Sequence, residues 1–120
     1  MSRIFRIAEM YHQQDSDATD DLSVAVAGAT LAIPVTHGIV LKTTGGAEAL
    51  TLADGKPGQM LLIVLAVSGG AGTITPTTMT GFATIVLTAQ SDFCCLLYVN
   101  DTIGWVILGM GGAAATPLVS

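Results

Sequence analysis

The chain has 120 residues, of which 51% are hydrophobic and 11% charged, and its formal net charge is −5 at neutral pH. Hydrophobicity at this level excludes a disordered chain, and the acidic balance removes the basic footprint of a nucleic-acid binder. The charged fraction is less than half of the roughly 25% typical of soluble domains, so a solitary copy has few polar side chains with which to cover its surface.

Segment 1–21 comes first. Ile4, Phe5, Ile7, Met10 and Tyr11 precede a polar run that includes Asp15, Asp17, Asp20 and Asp21. An amphipathic stretch tied to an acidic spacer predicts an N-terminal arm rather than core. Arg3 and Arg6 are followed by no apolar stretch of the signal-peptide kind, so export by a standard signal is not expected.

Segment 22–110 is strand-like throughout. Apolar and Thr-rich runs are broken by Gly28, Gly45-Gly46, Asp54-Gly55, Pro57-Gly58, Gly69-Gly70, Gly81, Asn100-Asp101 and Gly104. The pattern predicts strands near 23–27, 30–33, 38–43, 49–52, 59–67, 72–75, 83–88, 92–99 and 103–109. Turn signals recur about every ten residues, the spacing of a compact all-β antiparallel sandwich, barrel or β-prism-like domain. The tail, 111–120, is Gly/Ala-rich and is expected to be flexible or ordered by a partner.

The longest apolar run, 60–67, has eight residues, against about 20 for a membrane-spanning helix, so no span is expected. That run and 93–99 are apolar at both parities, whereas a sheet with one wet face alternates. Both faces therefore need cover, and no helix pattern is present to supply it. A second copy of the chain is the economical cover, because leaving several Leu or Ile side chains exposed forgoes several kcal/mol at about 25 cal/mol per Å². The expectation is an obligate homo-oligomer, a homotrimer before a dimer, with Leu61, Ile63, Leu65, Cys95, Leu97 and Trp105 at the interface; the alternative is a single-chain sandwich whose two sheets each carry one slightly apolar outer face.

Chemistry-bearing residues are sparse. His12 and His37 have no Cys or carboxylate at ligand spacing, so neither metal nor other cofactor is expected. Cys94 and Cys95 are adjacent and point to opposite faces of a strand, which predicts free thiols and assembly in a reducing compartment. The acids at 15, 17, 20 and 21 lack the Gly and Glu of a calcium loop, and Gly45-Gly46 and Gly69-Gly70 lack the Lys of a phosphate loop. Asp54, which precedes Gly55, fits a turn better than one half of a hydrolytic carboxylate pair with Asp92. Trp105 fits core or subunit interface, with stacking on a sugar ring as the other use. Catalysis is not expected.

In order along the chain, 50–59 (LTLADGKPGQ), an apolar strand, 72–76 (GTITP), 81–87 (GFATIVL) and 104–107 (GWVI) resemble the β-rich modules of tailed-bacteriophage virion proteins. These are head decoration (cement) proteins and fibre or spike domains that assemble as trimers. The resemblance spans roughly 49–109 and contains no catalytic signature. It implies a structural component of the virion, on the capsid surface, assembled in the host cytoplasm. Small size and an N-terminal arm point to a decoration protein that bridges subunits of the major capsid protein, with Arg3, Phe5, Arg6, Ile7, Met10 and Tyr11 as the capsid-binding clamp. The alternative is a fibre, such as a short head fibre, or a spike or lectin-like module that binds a host glycan through Trp105 and the Thr-rich loops.

Overall fold

In the computed structural model, residues 22–27, 30–112 and 116–118 are described. They form ten strands and, among the described residues, no helix: β1 (Ser23–Val26), β2 (Ala32–Ile33), β3 (Ile39–Thr44), β4 (Glu48–Leu52), β5 (Gln59–Ser68), β6 (Gly72–Pro76), β7 (Thr84–Leu87), β8 (Phe93–Tyr98), β9 (Trp105–Gly111) and β10 (Thr116–Leu118). The all-β expectation holds. The N-terminal segment 1–21, with its arm residues and His12, lies outside the described residues.

The strands make two five-stranded mixed sheets, the first in the order β1-β3-β5-β8-β9 and the second in the order β10-β7-β6-β4-β2. Through β6, the chain alternates between sheets at every strand, so each successive pair adds one rung to both. Neighbours in these rungs are parallel: Ser23 stands against Ile39, Ile39 against Leu62, Ala32 against Thr51, and Glu48 against Gly72. An all-antiparallel arrangement is thus corrected. Parallel neighbours need a long crossover, usually a helix. Here a strand of the opposite sheet serves as that crossover, which is how the rungs stack without helices. From β6 the direction reverses, and β7, β8, β9 and β10 each pair antiparallel with their neighbours.

Two crossovers are nested on one another. Gly69 N–H donates to the Thr44 carbonyl at 2.8 Å, and Glu48 N–H donates to that of Ala71 at 2.9 Å. A Cβ on Gly69 would lie 2.4 Å from the Thr44 oxygen, and one on Gly70 2.4 Å from the Gly46 carbonyl carbon. Glycine is required there by the closeness of the next turn.

Buried apolar side chains of both sheets form one cluster. Val40, Leu61, Ile63, Leu65, Leu96 and Trp105 of the first sheet join Ile33, Leu50, Leu52, Ile74, Ile85 and Leu87 of the second. Burial alternates residue by residue along β3, β5 and β8, as the two-residue period of a strand requires. The end of the β8–β9 connection is set by Asn100, whose Oδ1 accepts from the N–H groups of Thr102 and Ile103 at 3.0 and 2.7 Å. Thr116–Leu118 forms β10, with Thr116 opposite Val86 and Leu118 opposite Thr84.

Gly70→Val should cost roughly 2–3 kcal/mol through overpacking against backbone, whereas Gly46→Ala, which meets no atom within 4 Å, should stay within about 0.5 kcal/mol of wild type. Urea denaturation followed by far-UV circular dichroism measures both.

Candidate functional site

The two sheets turn different chemistry outward. On the second sheet the outward positions include Ala32, Ala49, Thr51, Thr73, Thr75 and Val86, small or hydroxylated residues for the most part. On the first sheet they include Ile39, Leu41, Met60, Leu62, Val64, Phe93, Cys95, Leu97 and Val106, with Ser23, Ala25 and Thr43 beside them, all half-buried or exposed. Cross-strand registers join them into continuous rows: Ile39, Leu62 and Cys95; Leu41, Val64 and Phe93; Met60, Leu97 and Val106. No charged residue stands among them. Met60 is 55% exposed, and Leu108, at an irregularity in the β8–β9 register, is 52% exposed.

This face corrects four of the expected interface residues. Leu61, Ile63, Leu65 and Trp105 are 0–1% exposed within the single chain, so they cannot meet another copy. Cys95 and Leu97 lie on the outward face as expected. In β5 the sequence offers no means of telling which parity points inward, since both are aliphatic. Met60, Leu62 and Val64, the residues missed, differ from their neighbours only in being half-buried or exposed.

Trp105 is spent inside the fold. Its Nε1–H donates to the Ala53 carbonyl at 3.0 Å, and its ring meets Tyr98 edge-on at 5.2 Å and 72°. It therefore offers no face to a sugar, which corrects its assignment as a glycan platform. The Tyr98 hydroxyl donates to Asp101 Oδ1 at 2.7 Å. That bond and burial push the phenol up to about 12. An open groove of about 740 Å³ is lined by Val35, Thr36 and 54–59, and a Cβ on its Gly55 would lie 2.9 Å from the Trp105 ring. The Gln59 amide is spent holding its walls, accepting from Lys56 N–H at 2.9 Å and donating to the Val35 carbonyl at 2.7 Å. The ionisable side chains left at the groove are Asp54, which also faces the Tyr98 hydroxyl and adds to its upward shift, and Lys56.

A buried charge sits at the nested crossovers. Lys42 is 0% exposed, and its ammonium donates to the carbonyls of Ala27, at 3.0 Å, and Thr30. It also pairs with Glu48 Oε1 at 3.1 Å. Glu48 Oε2 accepts the Gly45 N–H at 2.7 Å. That backbone bond, with Lys42 beside it, holds the Glu48 carboxyl below its ordinary range against the opposing pull of desolvation. The pair ties the β1–β2 connection to β4 and supplies no open coordination position.

Cys94 is buried, which pushes its thiol up to about 12, far from a nucleophile at neutral pH. Both cysteines are free. His37 stands in the β2–β3 connection with Nδ1 2.9 Å from the Thr36 hydroxyl. Asp92 is buried and accepts from the N–H groups of Thr88 and Ala89 at 3.0 and 2.9 Å, which makes it a turn cap. Among the described residues no three His, Cys, Asp or Glu side chains converge as metal ligands would. The feature most out of keeping with a solitary chain is therefore the outward face of the first sheet. No protein-family model matches this chain, and no curated protein matches it significantly.

A carboxyl depressed in the folded state contributes stability above its unfolded value, and that contribution fades as pH falls through the folded value. Glu48→Gln should thus be less stable than wild type at pH 7, with the gap closing below its ordinary value of 4.5. Urea midpoints at pH 7 and pH 3 test this, and an equal gap at both would count against the pairing.

Proposed function

We propose that the chain is a structural protein of a phage virion: a decoration or cement protein that binds the outer surface of the head and stabilises the shell by bridging subunits of the major capsid protein. The observation that carries this reading is the uncharged aliphatic face of the first sheet, which suits a chain that works as an assembly. In this reading the two sheets form a sandwich, three copies form the working unit, and residues 1–21 form an arm that reaches the capsid. The order of turns and strands from 49 to 109, similar to that of phage decoration and fibre modules, gives the reading its direction.

The mechanism is mass action. A unit that binds the intact, expanded shell and not its dissociated subunits shifts the equilibrium toward the shell by its own binding free energy. Several arms on one body multiply the effect, because once one arm is seated the others bind at high local concentration. Arg3, Phe5, Arg6, Ile7, Met10 and Tyr11 have the side-chain types enriched among interface anchors. Loss of one anchor near the centre of such a contact typically costs 2 kcal/mol or more.

Deleting residues 1–12 should abolish co-sedimentation with purified phage heads while leaving the mass of the free assembly in whole-chain multiples. Unchanged head binding would remove the arm from the mechanism. Failure of the full chain to bind heads of any phage that encodes it would remove the virion role.

A further inference from the structure

The outward face of the first sheet lies where the chain enters its first strand. Leu22, itself 52% exposed, leads into β1, an edge strand of that sheet. Ser23 stands in one row with Ile39, Leu62 and Cys95, so at about 4.8 Å per strand the point of entry is ~14 Å from Cys95. On the side from which the chain comes, the next row holds Met60 and Leu97, and Met60 is 55% exposed. Outside the described residues, the stretch with several large apolar side chains is the N-terminal segment, with Ile4, Phe5, Ile7, Met10 and Tyr11.

We infer that this segment lies over the outward face of its own chain's first sheet, through those five side chains, with 12–21 as the tether. Reach permits it. Residues 12–21, at up to about 3.3 Å each, extend ~33 Å, more than the ~24 Å width of five strands, so every row can be met.

Area favours the segment over a second copy. A face ~24 Å by ~20 Å offers roughly 500 Å², below the ~800 Å² per partner of a standard interface between separate molecules. A tethered segment needs less, because a short flexible tether holds it at roughly millimolar effective concentration. Charge points the same way. Residues 1–12 carry Arg3, Arg6 and Glu9, a net +1, which leaves −6 on the rest of a chain whose total is −5. The segment therefore meets the body with attraction, whereas two whole copies meet with repulsion. The apolar rows themselves present no charge to desolvate.

The contact makes one device of the arm and the face. Side chains assigned above to the capsid clamp are held on the sheet in the free chain, and a partner that draws them off opens the aliphatic face at the same moment. That consequence rests on the virion reading, while the contact itself does not.

Cys95 is the reporter within the face, and buried Cys94 is its control. In full-length Phe5→Cys, Ile7→Cys and Met10→Cys, oxidised glutathione should join the new thiol to Cys95 within one chain in at least one variant. The product is a 12.2 kDa species on non-reducing electrophoresis, lighter by two hydrogens. Disulfides only between chains place the segment on a second copy, and none in any variant removes it from the face; either result overturns the inference. In the double variant Phe5→Asp with Ile7→Asp, a maleimide should label Cys95 roughly tenfold faster than in wild type, as for a site released from local protection, with unchanged far-UV circular dichroism and Cys94 still protected. Labelling at the wild-type rate overturns the contact as well. Phage heads enter neither readout, so a chain that ignores heads rejects the virion role and leaves this contact standing.

Discussion

One constraint governs the molecule: a strand has two faces, and in the first sheet both are aliphatic. The inward face is satisfied by the second sheet, since Val40, Leu61, Ile63, Leu65 and Leu96 are buried against Leu50, Leu52, Ile74, Ile85 and Leu87 in one cluster. The outward face, with Leu41, Leu62, Val64 and Leu97 half-buried, has no such partner among the described residues. The second sheet carries the contrast within the same molecule. Its outward Thr and Ala residues can face water at little cost, so only one of the two surfaces calls for a neighbour.

The topology makes this asymmetry possible. Alternation between sheets through β6 lets the chain assign different chemistry to the two walls rung by rung, with aliphatic pairs in β3 and β5 and Thr-rich ones in β4 and β6. Nested crossovers hold the rungs in register. Gly69 and Gly70 allow the turns to touch, and Lys42, paired with Glu48 and bound to the carbonyls of Ala27 and Thr30, fastens the first connection to the later rungs. A buried ion pair of this kind adds little net stability. Breaking one partner leaves a desolvated charge, so its contribution is to specify which turn lies on which.

Much of the fold is legible in the residues. Alternation in 72–76, where Ile74 is buried and Thr75 exposed, marks both the strand and its inward parity. Asn100 before Asp101 and Thr102 announces the connection that its side chain then caps. Parity in β5 is not legible, because aliphatic residues at every position erase the period-two signal, and four residues taken for interface belong to the core. Parallel pairing is hidden for a different reason. Gly45-Gly46 and Gly69-Gly70 have the composition of hairpin turns, and nothing local distinguishes a turn that returns to the same sheet from one that crosses to the other. A lone Lys in a strand reads as solvent-facing, so Lys42 gives no sign of burial until Glu48 is brought beside it. Thr116–Leu118 is too short and too close to an Ala run for its strand to stand out.

Cys95 reports on the central claim from the middle of the disputed face. It lies in the row with Ile39 and Leu62 and is half-buried in the single chain, while Cys94, turned inward, is buried and serves as an internal control. Alkylation of the native wild-type chain with a maleimide, followed by intact mass, should leave Cys95 unmodified at concentrations where the assembly persists, and modify it in Leu62→Asp. Rapid labelling of Cys95 in the native wild-type chain, at the rate seen in Leu62→Asp, would show the aliphatic face open to water and contradict the account.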